Sequence, residues 1–380
     1  MVTPTPASRL QQLHDAGQSL WLDFIDRTML RNGDLTRRIR DDALTGMTSN
    51  PTIFEKALAE GTAYDAQLAA VGSEPGITPQ ALFELVETDD VRAACDAFRA
   101  VYDATRGADG YVSIEVSPGV AADATRTVEE ARRLWATVDR PNVMIKVPGT
   151  QEGARAVREL IAAGINVNIT LLFAVDAHAR VIEAYLAGLE DRVGAGQPVD
   201  RLASVASFFV SRVDTEIDKR LDSLAARAGD ADRERVRALK GQAAIANARL
   251  AYRLFQQQFT GARWAALAGH GARVQRPLWA STSTKNPAYR DVMYVEQLIG
   301  PDTVNTLPPA TLEAFRDHGV VARTIDANVT GAEALLRDLA DAGISLRDVT
   351  DQLLVEGIES FRKSYDSLLA GLDRKAHALA

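Results

Sequence analysis

The sequence predicts an α/β protein in which eight parallel strands close into a single (β/α)8 barrel, the TIM barrel architecture. Eight short apolar segments recur along the 380 residues, each followed by a stretch with a helical pattern, as in a parallel sheet with helical crossovers. Eight such units favour a closed barrel over an open sheet. One face of each segment is apolar and the other carries polar groups, which suits strands that pack on outer helices and enclose an interior site.

The eight predicted strands are distributed along the whole chain. In chain order they cover residues 19–25, 45–52, 111–119, 141–150, 164–173, 202–210, 276–283 and 302–309. Additional helices are predicted at three places: a helical lead-in within residues 1–18, an extended helical segment after strand 6 at about 215–270, and C-terminal helices at about 310–380. No Pro/Ser-rich linker or repeat divides the chain, so residues 1–380 are predicted to form one domain.

Composition narrows the class of protein. The chain is 46% hydrophobic and 25% charged, as in soluble globular proteins, and its net charge of −8 argues against a nucleic-acid or anionic-membrane partner. The single cysteine, Cys95, cannot form an intramolecular disulfide, and its Ala-rich helical setting indicates a core residue. No signal peptide or apolar run of membrane-spanning length is predicted, so a cytoplasmic location is expected.

The fourth predicted strand, residues 141–150, contains one lysine within an apolar run. Val143, Ile145 and Val147 alternate with Met144 and Lys146, which would face the barrel interior. An ammonium group that loses hydration has a lowered pKa, and a neutral amine can form a Schiff base with a carbonyl substrate. The alternative is a lysine whose amine extends to water at the end of the strand.

Further polar side chains would gather with this lysine, because sites in such barrels form at the carboxyl ends of the strands. Those positions are Asp23, Asn50, Glu115, Lys146, Asn168, Thr170, Ser207 and Ser281 or Ser283, with Arg212 and Lys285 just beyond their strands. This set suits a phosphorylated, polyhydroxylated carbonyl substrate. The amine would react with the carbonyl, the amides and hydroxyls would bind the hydroxyl groups, and the cations would bind the phosphate.

Each residue also has a simpler interpretation. Asp23 could cap a neighbouring loop, and Asn50 could be only a turn former before Pro51. Glu115 could form a buried ion pair with Lys146. One arginine after a strand, Arg212, is usually a solvated charge or an ion-pair partner. The charged run within residues 220–240, which looks like an inserted or extended helical arm, is most simply a solvated helix face.

Six segments together resemble transaldolases, in the same order along the chain. They are Leu22-Asp23, residues 48–52 (Thr-Ser-Asn-Pro-Thr), 113–116 (Ser-Ile-Glu-Val), 143–148 (Val-Met-Ile-Lys-Val-Pro), 164–173 (Gly-Ile-Asn-Val-Asn-Ile-Thr-Leu-Leu-Phe) and 207–212 (Ser-Phe-Phe-Val-Ser-Arg). The resemblance extends over roughly residues 18–370. The long charged arm resembles the longer bacterial members, and no single segment is as specific as the set.

The resemblance implies catalytic roles for four residues. Lys146 forms the Schiff base with the C2 carbonyl of a ketose phosphate. Asp23 is the general acid/base that takes the proton of the C4 hydroxyl during carbon–carbon cleavage. Glu115 and Thr170 position and activate a water needed to form and hydrolyse the imine. The reaction transfers dihydroxyacetone from sedoheptulose 7-phosphate to glyceraldehyde 3-phosphate, which gives erythrose 4-phosphate and fructose 6-phosphate.

The resemblance also implies the substrate-binding residues. Hydroxyl groups of the dihydroxyacetone unit would be held by Asn50, Asn168 and Ser207. The ring of Phe209 would line the site, and the phosphate would be bound at its rim by Arg212, Ser283 and Lys285. No metal or organic cofactor is implied. The expected partners are small sugar phosphates, not nucleic acid or membrane, and the chain is expected to be a monomer or homodimer.

One position departs from the pattern, and two other functions compete. Lys285 stands where shorter family members carry arginine. Lysine keeps the charge but loses the bidentate fork of the guanidinium, so phosphate affinity is the quantity affected.

The closest alternative activity is a class I aldolase that cleaves fructose 6-phosphate or a related sugar phosphate without an acceptor. A barrel that binds sugar phosphates without catalysis would form no covalent adduct.

Overall fold

The computed structural model describes residues 7–49, 51–71 and 76–379. Its strands are all parallel and form a closed barrel in sequence order, with the first strand paired to both the second and the last. The predicted (β/α)8 barrel is confirmed, and each predicted strand overlaps an observed one, although the first two begin one residue earlier than predicted: β1 (Gln18–Asp23), β2 (Leu44–Thr48), β3 (Tyr111–Glu115), β4 (Val143–Pro148), β5 (Val167–Leu172), β6 (Ser204–Phe209), β7 (Arg276–Ala280) and β8 (Thr303–Leu307).

Helices surround the barrel and extend its carboxyl end. None of those described is long and apolar enough to cross a membrane. A short 3₁₀ helix, Pro118–Val120, follows β3. The α-helices are α1 (Arg9–Asp15), α2 (Arg27–Arg31), α3 (Asp34–Asp41), α4 (Pro51–Glu60), α5 (Asp65–Val71), α6 (Pro79–Ala104), α7 (Ala124–Val138), α8 (Gln151–Ala162), α9 (Val175–Gly194), α10 (Ser211–Ala225), α11 (Asp230–Arg237), α12 (Ala243–Gln258), α13 (Gly261–Gly269), α14 (Met293–Glu296), α15 (Pro309–His318), α16 (Val329–Asp341) and α17 (Leu346–Leu379).

The interior of the barrel is filled by large, mainly apolar side chains at its lower level, towards the amino ends of the strands. Trp21, Tyr111, Met144 and Val304 belong to one buried cluster there, separate from the larger core between strands and outer helices. Gly46 on β2 makes room for the indole, because a Cβ at this position would lie 2.5 Å from the Trp21 ring. This packed layer closes the lower end, so a ligand can enter only from the carboxyl ends of the strands.

Strand register sets which polar groups meet above that layer. Glu115 on β3 pairs with Lys146 on β4, and Lys146 pairs with Asn168 on β5. Residues paired in this way have side chains on the same face, since the side-chain period of a strand is two. The three side chains therefore lie next to one another on the interior wall, as the alternation in the sequence predicts.

The segment after β6 differs from the extended arm expected at residues 220–240. The predicted long helical stretch is divided into α10, α11, α12 and α13, and Gly241 adopts a left-handed φ of +70° between α11 and α12. Lys240 Nζ lies 2.7 Å from an Asp222 carboxylate oxygen, and Gly241 N donates to Asp218 at 3.0 Å. These contacts fold α11 back against α10, so the charged segment is a compact hairpin.

His178 is a buried histidine on α9, outside the barrel wall. Its ring is fully buried, lies 5.9 Å from the Phe208 ring centroid, and has no hydrogen-bond partner for either nitrogen among the described residues. Burial lowers the pKa of His178 from its ordinary value of 6.5 to about 4. The folded chain therefore excludes a proton that the unfolded chain binds below pH 6.5.

Replacing His178 with leucine is expected to make stability less sensitive to acid. The wild-type free energy of unfolding should fall by about 3 kcal/mol more than that of His178→Leu between pH 7 and pH 4, because only the unfolded wild type gains the proton at residue 178. Urea unfolding at both pH values measures this difference. His377→Leu, at an exposed position, is the control. An equal loss of stability in wild type and His178→Leu would contradict the assignment.

Candidate active site

A cavity of about 770 Å³ opens at the carboxyl ends of the strands. Its floor is the polar layer above Trp21, and its upper walls are loops and helices that follow the strands. The predicted site residues that line it are Asp23, Glu115, Lys146, Thr170, Ser207, Phe209, Arg212, Ser283 and Lys285. The volume lies within the range that small-molecule sites occupy in proteins. Residues from six parts of the chain are thus brought together around a single cavity.

Lys146 lies on the cavity floor. Its side chain is almost completely buried, and its Nζ is 3.0 Å from Glu115 Oε2 and 3.4 Å from the carbonyl oxygen of Ser49. The amine does not extend to bulk water, so that alternative is wrong. The ion pair with Glu115 is present, and it lies inside the cavity, where a ligand would contact both groups.

Glu115 is the other charged group of this pair. Burial raises the pKa of its carboxyl above the ordinary value, the Lys146 ammonium opposes that rise, and the charge of Asp23 adds to it. A carboxylate 3.0 Å from the ammonium and with a raised pKa can accept the proton that the amine must lose before it acts as a nucleophile. The pair can therefore move a proton locally without bulk water.

Asp23 lies at the end of β1, across the cavity. It pairs in register with Thr48 on β2, and the Thr48 hydroxyl donates to Asp23 Oδ1 at 2.8 Å. The hydroxyl oxygens of Thr48 and Thr306 are 2.8 Å apart. Asp23 thus takes part in a hydrogen-bonded group inside the cavity.

A second polar group occupies the wall on β5 and β6. Asn168 donates through Nδ2 to Ser113 Oγ at 2.9 Å, and Ser207 Oγ donates to Asn168 Oδ1 at 2.6 Å. Both ends of the amide are held, which fixes its orientation. The Phe209 ring also lines the cavity and packs against Phe173 with a centroid distance of 5.3 Å and an angle of 47° between the ring planes. Hydroxyl groups of a ligand could bind here.

Two cations lie at the rim. Arg212 lies in the first turn of α10, and its guanidinium carbon is 5.4 Å from the centroid of the Phe209 ring. Burial lowers the pKa of Arg212, and the charge of Glu356 opposes that change. Lys285 Nζ donates to Ser283 Oγ at 2.8 Å on the loop after β7. No carboxylate of the described residues forms an ion pair with either cation, so an anionic ligand could take that place.

The start of α10 is held to the loop after β7. Ser211 N donates to the carbonyl oxygen of Ser281 at 3.0 Å, and their hydroxyl oxygens are also 3.0 Å apart. Ser281 has a φ of +55°, in the left-handed region. These bonds bring the β6 and β7 ends together and keep Arg212 near Ser283. Asp214, which could have paired with Arg212, instead accepts from Ala244 N and Tyr294.

Helix α17 forms part of the roof of the cavity. The residues that it contributes share one face of the helix: Gly357, Ser360, Phe361 and Ser364. Ser364 Oγ accepts from Thr52 Oγ1 at 3.0 Å, and Lys375 Nζ lies 2.8 Å from Asp65. A Cβ on Gly357 would be 3.0 Å from Leu171, so the glycine permits close approach of α17 to the end of β5.

The structure places nine of the predicted site residues around this cavity, and Asn168 lies fully buried behind its wall, hydrogen-bonded to Ser207. Asn50 lies outside the described residues, so its predicted role is unchanged. Thr48 and Thr306 were not among the predicted site residues, although both occupy interior-facing positions of predicted strands. Ser113 was not predicted to be the partner of Asn168. Tyr64 and the residues of α17 also line the site, and no pattern in the sequence links those helices to the barrel mouth.

No group of three or more histidine, cysteine, aspartate or glutamate side chains suited to a metal ion occurs within residues 7–49, 51–71 and 76–379. The polar groups of the cavity contact one another or face its open space. The arrangement therefore offers an amine, two carboxylates, fixed hydroxyl and amide groups, and two cations to a ligand.

Comparison with known proteins identifies the family of the chain. The family model described as transaldolase/fructose-6-phosphate aldolase matches residues 20–372. The chain is 49% identical to a transaldolase of Thermobifida fusca over 374 residues, covering 98% of this chain and 99% of that protein. It is 47% identical to transaldolase 1 of Streptomyces coelicolor (98% and 97% covered) and 45% identical to transaldolase 2 of Nostoc sp. PCC 7120 (98% and 99%).

These matches cover nearly the whole length of each protein, and the matched region contains every residue placed in the cavity. The family model and the sequence similarity therefore lead to the same assignment. The chain belongs to the transaldolase/fructose-6-phosphate aldolase family.

Proposed function

We propose that this chain is a transaldolase of the pentose phosphate pathway that acts in the cytoplasm. It transfers dihydroxyacetone from sedoheptulose 7-phosphate to glyceraldehyde 3-phosphate through a Schiff base on Lys146. The observation that carries the proposal is the buried contact between Lys146 Nζ and Glu115 on the floor of a cavity that also contains Asp23. The relatives named transaldolase support the same reaction.

Formation of the Schiff base uses the Lys146–Glu115 pair. The ammonium passes a proton to Glu115, and the neutral amine attacks the C2 carbonyl of the ketose phosphate. The carbinolamine then loses water, and the carbon–nitrogen double bond forms. Glu115 and Thr170, which face the same cavity, hold and activate that water here and again when the imine is hydrolysed.

Cleavage breaks the bond between C3 and C4. Asp23 takes the proton of the C4 hydroxyl, C4 leaves as an aldehyde, and the electron pair of the broken bond passes to the iminium as an enamine. The enamine then attacks the aldehyde carbon of the acceptor, and Asp23 returns the proton to the new hydroxyl. Asn168 and Ser207 bind hydroxyl groups of the three-carbon unit that stays attached to Lys146.

The rim of the cavity suits the phosphate. Arg212 and Lys285 supply two positive charges and Ser283 a hydroxyl, and all three line the cavity. Phosphate on the far end of the sugar would place its carbonyl near Lys146. Asn50 is proposed to bind a hydroxyl group, as the resemblance to transaldolases implies.

The test is covalent trapping combined with acceptor dependence. Incubation with fructose 6-phosphate and borohydride should add one adduct to the intact mass, mapped to Lys146. Release of glyceraldehyde 3-phosphate beyond one equivalent per enzyme should require an acceptor such as erythrose 4-phosphate. Equal turnover without an acceptor would favour a class I aldolase. Absence of both adduct and turnover would indicate a barrel that only binds sugar phosphates.

A further inference from the structure

Three residues on adjacent strands form a hydrogen-bonded chain at the floor of the cavity. Thr48 on β2 and Thr306 on β8 lie on the two neighbours of β1, which carries Asp23. Their hydroxyl oxygens meet at 2.8 Å, and Thr48 also contacts Asp23 Oδ1 at 2.8 Å. The contact between the two threonines therefore crosses in front of β1, on the interior side.

The direction of these hydrogen bonds follows from the chemistry of the groups. An ionised carboxylate accepts hydrogen bonds but cannot donate one. Thr48 must therefore direct its single hydroxyl proton at Asp23 Oδ1. The 2.8 Å contact between the threonines then requires the proton of Thr306. Donation runs from Thr306 to Thr48 and from Thr48 to Asp23.

Both threonines of this hydrogen-bonded chain are buried. Thr48 is 2% exposed and Thr306 is 4% exposed, so bulk water competes little with either hydroxyl. The Thr306 proton holds the Thr48 hydroxyl in the orientation that points at Asp23, and a donor that itself accepts a hydrogen bond is more polarised. The Thr48 bond at Oδ1 in turn limits rotation of the Asp23 carboxylate about its Cβ–Cγ bond.

We propose that Thr306 is a positioning residue for Asp23 and acts through the hydroxyl of Thr48. This inference rests on the proposed function, in which Asp23 exchanges a proton with the C4 hydroxyl. Thr306 supports that exchange by keeping the carboxylate orientation constant between cleavage and addition. It takes no part in forming the Schiff base, since the Lys146–Glu115 pair lies on β4 and β3, on a different part of the wall.

The test is a kinetic double-mutant cycle. Thr306→Val removes the hydroxyl with little change in volume and is expected to slow single-turnover cleavage of fructose 6-phosphate about 3- to 10-fold. KM and borohydride trapping should stay at wild-type values, and the acid limb of the pH–rate profile should move. Thr306→Ser should restore the rate. In a Thr48→Val background, Thr306→Val should cause no further loss.

Controls separate this role from a loss of structure. Thr45→Val removes a buried hydroxyl at the other end of β2, where it donates to the Leu20 carbonyl at 3.3 Å, and should leave cleavage unchanged. Thermal unfolding checks the fold of each variant, and Thr306→Ala replaces the valine variant if that one does not fold. Wild-type cleavage by Thr306→Val, an equal loss in the Thr48→Val background, or loss of trapping would overturn the assignment. Absence of trapping in the wild type would instead remove the proposed function.

Discussion

Replacing Lys146 with alanine is expected to abolish both dihydroxyacetone transfer and covalent trapping. The amine is the proposed nucleophile, and Lys146 Nζ is held against Glu115 at 3.0 Å on the cavity floor. Loss of a nucleophile that forms a covalent intermediate should lower kcat by at least on the order of 10⁴-fold. Coupled assay of fructose 6-phosphate formation and intact mass after borohydride treatment measure the two effects.

Two further variants test whether residue 146 acts as a nucleophile or only supplies a positive charge. Lys146→Arg keeps a cation that can pair with Glu115, but a guanidinium stays protonated and cannot attack a carbonyl, so this variant should be equally inactive. Lys219→Ala removes an exposed lysine on α10 and should behave as wild type. An adduct that persists in Lys146→Ala, or substantial activity in Lys146→Arg, would show that another group forms the covalent bond.

Replacing Asp23 with alanine is expected to separate imine formation from cleavage. The Lys146–Glu115 pair remains, so borohydride should still trap the substrate on Lys146. The carbon–carbon cleavage step should slow by roughly 10²- to 10⁴-fold, the usual contribution of general acid–base catalysis. Single-turnover release of glyceraldehyde 3-phosphate, measured beside adduct formation, gives both quantities in one experiment.

Asp23→Asn is the matched control for packing. Its side-chain oxygen can still accept the hydrogen bond that Thr48 donates to Asp23 Oδ1 at 2.8 Å, but an amide cannot take the substrate proton. Cleavage should therefore be as slow in Asp23→Asn as in Asp23→Ala. A near wild-type rate in Asp23→Asn would assign the proton transfer to another residue and leave Asp23 with a structural role.

Much of the site could be predicted because a strand alternates its side chains with a period of two. Lys146 within an apolar run, Glu115 on the preceding strand and Thr170 on the following one all fall on the interior face. Once eight strand–helix units indicate a barrel, the rule that sites form at the carboxyl ends of strands selects these positions. The closed barrel confirms the faces and the order of the strands.

Prediction was weakest where helices pack on helices. The segment after β6 has a continuous helical pattern with a charged part, which suggested an extended arm. The left-handed conformation at Gly241 and the contact of Lys240 with Asp222 instead produce a compact hairpin. A single exposed ion pair contributes little energy, and its partner is 18 residues away, so local patterns carry no signal for the fold-back.

The barrel, the interior face of each strand and the candidate nucleophile could be predicted, because they depend on local periodicity and on the order of elements. How those faces meet is set by the tertiary fold. It paired Lys146 with Glu115, linked Thr306 to Asp23 through Thr48, and brought α17 over the mouth of the cavity. Such contacts join residues tens to hundreds of positions apart and depend on strand register and helix packing, which no short stretch of sequence encodes.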